Sequence, residues 1–193
     1  MKRIALVLAL TLAAALAIVS VIVEVEGEYR HELLGGGGKG RALVLFHPSR
    51  DAHFSDDLSL AFSEGLREAG FAVERATLTS ETPSRPEGYV LIGVVSNTYY
   101  WTPDLPTLRY LKRARLEGVA VVGLIGGAGS TGRSERVLHE ALRRTGARVI
   151  QTRSFWLWRP NDESRGSESN RHVALQMAKQ LGTESAHVVL AGR

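Results

Sequence analysis

The sequence of 193 residues contains no cysteine. This absence excludes a disulfide scaffold, a thiolate metal site and a catalytic thiol. The sequence also lacks a G-x-S-x-G nucleophile elbow, and its histidines show no metal-ligand spacing such as H-x-x-x-H. We therefore predict no metal site and assign no catalytic side chain.

The composition is that of a folded protein, with 44% hydrophobic and 23% charged residues. The 20 glycines have no collagen-like period, and no block recurs at the spacing of a solenoid repeat. The length suits one globular domain and a small additional segment.

Residues 4–23 form an apolar run without charge, in which Thr11 and Ser20 are the polar members. As a helix this run has a length of about 30 Å, which matches the hydrocarbon core of a bilayer. We predict a signal anchor or transmembrane helix over 1–23 and a single-pass membrane location. A cleaved signal peptide, cut after Ala15-Leu16-Ala17, is the alternative.

A glycine-rich linker is predicted over 24–40, followed by one domain over 41–193. The first 40 residues contain four basic and four acidic side chains, so the net charge of +4 belongs to the domain. Short apolar runs alternate with amphipathic segments in this domain. The predicted strands are 42–46, 71–76, 89–95, 119–125 and 148–156. The predicted helices are 55–69, 105–117, 133–145 and 169–181. This alternation favours an α/β fold with a parallel sheet.

Ligands of such sheets bind at the carboxyl ends of the strands, which directs attention to three loops. The loop 47–55 leads into a helix start, where free amides favour an anion such as phosphate. Its candidate ligands are His47, Ser49, Arg50, His53 and Ser55. An ordinary polar connector with Ser55 as the helix cap is the alternative interpretation.

The second loop places three aromatic residues in a row, which is costly on a surface and suits stacking on a planar heterocycle. Its candidate residues are Ser96, Asn97, Thr98, Tyr99, Tyr100 and Trp101. Packing on the next helix is the alternative. The third loop is rich in glycine and lets the backbone approach a ligand. Its candidates are Gly126, Gly127, Gly129 and Ser130. A dinucleotide fingerprint also fits this loop, but it follows the fourth strand and no acidic residue ends the next one.

The segment from Ala42 to Leu181 resembles the flavodoxin-like superfamily. The resemblance is carried by the helix entry after 43–46, by 90–93 leading into 98–103, and by 118–122 with Gly126-Gly127. His47-Pro48 with Phe54-Ser55 is similar to the quinone-reductase branch. The resemblance implies a three-layer sandwich with a five-stranded parallel sheet of order 2-1-3-4-5, here preceded by a transmembrane helix. It also implies FMN at the carboxyl edge, with 47–55 at the phosphate, 96–101 beside the isoalloxazine ring and 126–131 at its edge.

The resulting hypothesis is a membrane-tethered, FMN-binding protein that acts in electron transfer. The expected partners are the membrane, through the N-terminal helix, and a redox protein or a quinone; no nucleic acid is expected. The charges that flank the apolar run leave both orientations open, and family analogy predicts the cytoplasmic side. Two alternatives stay open: an FMN-dependent NAD(P)H-quinone reductase, and a flavin-free domain that binds a partner or lipid. The second alternative follows from the absence of glycine in the loop 47–55 and from the basic residues near 109–115 and 133–144.

Overall fold

The computed structural model describes residues 25–48 and 53–192, together with 4, 6, 7, 10–12 and 14 near the amino terminus. The strands are β1 (His31–Gly36), β2 (Arg41–Phe46), β3 (Ala72–Thr77), β4 (Leu91–Tyr99), β5 (Thr102–Pro103), β6 (Ala120–Gly127) and β7 (Arg148–Trp156). The helices are α1 (Phe54–Glu68), α2 (Leu105–Arg113), α3 (Gly132–Arg144) and α4 (Asn170–Ala191), and a 3-10 turn covers Glu163–Arg165.

The sheet has seven strands and is mixed, in the order β1-β3-β2-β4-β6-β7 with β5 paired to β4. The five strands from β3 to β7 along this order run parallel, whereas β1 lies antiparallel to β3 and β5 lies antiparallel to β4. The prediction of a five-stranded parallel sheet is therefore wrong. It missed β5 because that strand has two residues, and it missed β1 because a glycine-rich sequence is typical of a linker.

The glycines that end β1 allow close backbone packing. A Cβ atom on Gly36 would lie 2.0 Å from the carbonyl oxygen of Phe71, and one on Gly37 would lie 2.7 Å from that of Gly70. His31 and Gly36 pair with Ala76 and Ala72 at the two ends of the ladder. Residues 31–36, assigned to the linker from the sequence, thus form an edge strand of the sheet.

Helices cover both faces of the sheet because its central strands are apolar on both sides. In β2, Ala42, Val44 and Phe46 pack into one core with α1 and α4, and Leu43 and Leu45 pack into the other with α2 and α3. The result is three layers, with the carboxyl ends of the parallel strands gathered at one edge.

Helix α4 is longer than predicted, and a glycine within it packs closely against α1. The sequence predicted a helix over 169–181, but the helix continues to Ala191. A Cβ atom at Gly182 would lie 2.2 Å from the carbonyl oxygen of Phe62 in α1. Gly182 therefore permits the close packing of α4 on α1. Helix α2, in contrast, is shorter than predicted, because Ala114 adopts an extended conformation.

The prediction of a transmembrane helix is also wrong for the part of the chain that the structure describes. No helix among those residues is long and apolar enough to cross a bilayer. The positions described between 4 and 14 are helical, and residues 15–24 lie outside the described residues. The predicted single-pass membrane location depended on that helix and is withdrawn with it.

Candidate functional site

A cleft of about 120 Å³ opens at the carboxyl edge, where β4 and β6 end side by side. Its floor is backbone, because β6 ends in Gly126 and Gly127. The lining residues come from the second and third predicted loops, from the first residue of α1 and from the segment after β7: Phe54, Asn97, Thr98, Tyr99, Gly126, Gly127, Ala128, Leu157 and Trp158. Phe54 belongs to the first predicted loop, so the fold brings residues of all three predicted loops into one site.

A strained aromatic turn follows the lining residue Tyr99. Tyr100 and Trp101 connect β4 to β5 and both have positive φ values, 49° and 60°. Two-residue hairpin turns need this left-handed conformation, for which glycine and asparagine are the usual residues. Each bulky residue costs about 1–2 kcal/mol here. Both side chains are nevertheless more than half exposed, at 56% and 59%. Strain that presents aromatic rings to solvent points to a binding role.

Trp158 lies on the opposite side of the glycine floor from the aromatic turn, and it is 79% exposed. Its main-chain N–H donates to the carbonyl of Ala128 at 2.9 Å, and that of Leu157 donates to Gly127 at 3.0 Å. These bonds extend the β6–β7 pairing past the ends of the strands. Trp158 belongs to the aromatic run 155–158, for which the sequence left open packing at the carboxyl edge of the sheet or a cap over the flavin pocket.

The rest of the third loop lies at the rim. Gly129 contacts the side chain of Arg159, since a Cβ atom there would lie 3.6 Å from its Cδ, and Ser130 is exposed. Arg159 in turn stacks over the ring of Trp156 at 4.3 Å, and the indole N–H of Trp156 donates to Thr131 Oγ1 at 2.7 Å. The glycine-rich loop is therefore fixed by the segment that carries Trp158.

The first loop is only partly described, because Ser49 and Arg50 lie outside the described residues. His53 precedes α1, is exposed and has a φ of 57°. Ser55 was predicted as the helix cap, but its buried hydroxyl donates to the carbonyl of His47 at 2.7 Å. His47 is itself 2% exposed. The side chains of Ser55 and His47 thus lie inside the domain.

A buried polar network lies beneath the aromatic turn and is centred on Asp104, the N-cap residue of α2. Its carboxylate accepts from Ser96 Oγ at 2.8 Å, from the main chain of Asn97 at 2.6 Å and from that of Thr107 at 2.9 Å. His47 Nδ1 lies 3.6 Å away. Complete burial alone would raise the pKa of Asp104, but the neighbouring His47 imidazole and the hydrogen bond from Thr107 lower it below the ordinary value. Ser96 and Asn97, predicted as ligands, therefore hold the base of the turn.

Comparison with known proteins gives the fold. No family model and no curated protein matches the sequence. Among solved structures, a flavodoxin from the domain Archaea has a TM-score of 0.58 at 16% identity, covering 77% of this chain and 98% of that one. A WrbA-like flavodoxin from Agrobacterium tumefaciens has a TM-score of 0.57 at 12% identity, covering 80% and 99%. Flavodoxin 1 from Bacillus cereus has a TM-score of 0.55 at 16% identity, covering 76% and 97%. The chain has the flavodoxin-like fold.

The resemblance inferred from the sequence is thereby confirmed for the fold. In this flavodoxin-like domain, the acidic residues at the start of α1 are paired. Asp56 binds Arg75, and Asp57 binds Arg171. The two aspartates would otherwise repel an anion at the helix N-terminus, and the paired arginines offset that charge.

The cleft of the flavodoxin-like domain also contains a buried hydroxyl. Thr98 Oγ1 has no hydrogen-bond partner among the described residues. It borders the floor, because a Cβ atom on Gly127 would lie 3.4 Å from it. A buried hydroxyl without a partner is costly unless a ligand or water completes it. Thr98 is therefore a polar contact available to a ligand.

Proposed function

We propose that this flavodoxin-like chain binds FMN in the carboxyl-edge cleft and acts in electron transfer. The observation that carries the proposal is the aromatic turn, which holds Tyr100 and Trp101 in strained, exposed positions beside a glycine floor. Because β4 and β7 flank β6 on opposite sides, this turn and Trp158 lie on either side of that floor. Solved structures named flavodoxins with the same fold support the assignment.

The residues present fit a flavin in distinct ways. Trp101 and Trp158 offer apolar faces to a planar ring, and Gly126 and Gly127 allow the ring edge to approach the backbone. The cleft is smaller than ordinary ligand pockets of several hundred Å³, so much of the ring would lie above the floor between the aromatic side chains. The N-terminus of α1 is the element available to the phosphate. When bound, the flavin supplies the electron-carrying chemistry, and the protein supplies binding and electrostatics.

FMN titration followed by fluorescence tests the aromatic contacts. Trp101→Ala and Trp158→Ala are each expected to weaken FMN binding about tenfold, because an aromatic contact is worth about 1 kcal/mol beyond its buried area. Leu60→Ala serves as the matched control, since Leu60 is exposed on α1 outside the cleft lining. Equal FMN affinities of the wild type and all three variants would contradict the proposed site.

The proposed redox partner is a protein or a quinone. Oxidation of a nicotinamide cofactor by a soluble quinone, measured with the FMN-loaded chain, distinguishes a quinone reductase from a carrier that needs a protein donor. Turnover would support the reductase; reduction by a protein donor alone would support the carrier.

A second candidate function is favoured by Ser55 and His47. Because both side chains are engaged inside the domain, the described part of the first loop offers the phosphate few side-chain donors. A flavin-free domain that binds a partner protein is consistent with this arrangement. Failure of the chain to bind FMN, together with binding of a partner, would favour this function.

A further inference from the structure

A groove lies between α2 and α3, away from the carboxyl-edge cleft. It has a volume of about 580 Å³. Its floor is apolar, with Leu108 and Leu111 from α2 and Val137 and Ala141 from α3. These residues are spaced three and four positions apart, so each helix presents one row of apolar side chains to the groove.

Cationic side chains form the rim of this groove. Lys112, Arg136 and Arg144 line it directly, and Arg144 is paired with the exposed Glu140 at 3.3 Å. Lys112 and Arg136 are exposed and have no side-chain hydrogen bond or ion pair within the described part of the chain. Two cations of the groove, Lys112 and Arg136, are thus without an ion pair among the described residues, and its one carboxylate, Glu140, is paired with Arg144.

The net positive charge of the chain is concentrated in the segment that contains α2 and α3. Residues 105–144 contain eight arginines and lysines and three glutamates, a net charge of +5, whereas the full chain has a net charge of +4. The rest of the chain is thus close to neutral. A local excess of positive charge of this size attracts and orients acidic partners.

We infer that the α2–α3 groove is a docking site for an acidic amphipathic helix of a partner protein. Such a helix would place apolar side chains at i, i+3, i+4 and i+7 on the floor and carboxylates against the rim. The nine residues of α2 give a groove about 13 Å long, enough for between two and three helical turns of the partner.

Charge and shape favour this occupant over others. A second copy of the chain docked through the same face would bring like charge to the groove, and the apolar segment 4–23 carries no carboxylate to match the rim. An anionic bilayer meets a protein with its headgroup plane, which would satisfy the cations and leave the concave apolar floor unfilled. A helix satisfies both parts of the groove.

A model peptide tests this inference with the full chain. The probe is a fluorescein-labelled 14-residue peptide with leucine at i, i+3, i+4 and i+7 and glutamate at most other positions. A peptide of the same composition in permuted order is its control. We expect anisotropy to show binding of the first peptide, at least about fivefold weaker binding of the second, and weakening as salt screens the rim.

Variants connect the binding to the groove. Arg136→Glu is expected to weaken peptide binding about tenfold by reversing a rim charge. Arg67→Glu makes the same change at an exposed position of α1, on the other face of the sheet, and is expected to have little effect. Leu108→Ala is expected to weaken binding severalfold without reducing the salt dependence, because it removes floor contact alone.

Three results would overturn the inference: equal binding of the permuted peptide, equal loss in Arg67→Glu and Arg136→Glu, or no peptide binding. Vesicles of neutral lipid with and without phosphatidylglycerol are tested in parallel. Arg136-dependent binding to the anionic vesicles in the absence of peptide binding would assign the face to a lipid surface instead. None of these readouts depends on flavin, so this inference and the proposed FMN site fail independently.

Discussion

His47 Nδ1 lies 3.6 Å from Asp104 Oδ1, and the two side chains are 3% and 0% exposed. The pair joins the end of β2 to the start of α2, beneath the aromatic turn. It is separated from the cleft by Ser96 and Asn97, which both donate to the same carboxylate. The candidate site is therefore supported by a buried charged group that no ligand needs to contact.

Loss of this carboxylate is expected to destabilise the fold strongly. Asp104→Ala would leave the donors of Ser96 and Asn97 and the main chain of Thr107 without an acceptor, and it would remove the helix cap. We expect a loss of about 3–5 kcal/mol in the free energy of unfolding, measured with urea. Asp104→Asn keeps an acceptor oxygen and is expected to cost less. Similar stability of the alanine variant and the wild type would contradict the role given to Asp104.

The same carboxylate predicts a dependence of stability on acid. The pKa of Asp104 is lowered in the folded state from its ordinary value of 3.8. Its contribution is therefore full above about pH 4 and is lost as the pH falls through the lowered folded pKa. Asp104→Asn should reduce the acid-induced loss of unfolding free energy in that range. An unchanged slope in the variant would show that other groups cause the acid sensitivity.

A glycine in the aromatic turn is expected to reveal its strain. In helices and strands a glycine variant is about 0.5–1 kcal/mol less stable than the corresponding alanine variant. At the left-handed φ of Trp101 the glycine variant should instead be the more stable of the two. We predict that Trp101→Gly is about 1 kcal/mol more stable to urea than Trp101→Ala, although both bind FMN weakly. Leu60→Gly and Leu60→Ala on α1 provide the normal order as the control. The normal order at position 101 as well would argue against strain there.

Close packing of α1 on α4 predicts a severe effect at Gly65. A Cβ atom there would lie 1.9 Å from the carbonyl oxygen of Lys179 and 2.9 Å from the main-chain nitrogen of Thr183. Gly65→Ala must therefore separate the helices, and we expect a loss of about 1–3 kcal/mol in unfolding free energy. Gly38→Ala, which meets no atom within 4 Å, is the matched control. Equal melting temperatures of the two variants would contradict the packing described.

Tyr89 predicts a dependence of stability on alkali. Burial and the hydrogen bond to Glu74, in which the phenol donates at 2.7 Å, raise the pKa of Tyr89 to about 12. The stability associated with the neutral phenol is thus full below the ordinary pKa of 10.0 and is lost as the pH rises toward 12. In an ultraviolet titration that follows tyrosinate formation, Tyr89→Phe should lack a transition that the wild type shows at high pH, near 12. Loss of an early component would contradict the assignment.

The parts of the fold that the sequence predicted are those with a local cause. Continuous apolar runs such as 42–46 and 119–125 identify strands buried on both faces, and Ser169 caps α4 by accepting from His172 at 3.2 Å. The glycine run 35–38 at the end of β1 has no local cause of this kind. Its reason is the carbonyl of Phe71, which is 35 residues away in the sequence.

The candidate site could be predicted only in part, because some of its residues have no local signal in the sequence. Consecutive aromatic residues and paired glycines at strand ends make Tyr100, Trp101, Gly126 and Gly127 candidates from the sequence alone. The roles of His47 and Ser55 depend on contacts that local reasoning does not supply, since Asp104 lies 57 residues after His47 and Ser55 reaches back across its own loop. Both residues carry donors suited to a phosphate, and the fold uses them internally instead.

The most direct test of the account is the visible spectrum of the purified chain after incubation with FMN and removal of free ligand by gel filtration. The account predicts a yellow protein with flavin eluting together with the chain at close to one molecule per chain. It also predicts a clear reduction of bound flavin in Trp101→Ala. A colourless protein at saturating FMN, with normal folding by circular dichroism, would contradict the proposed function.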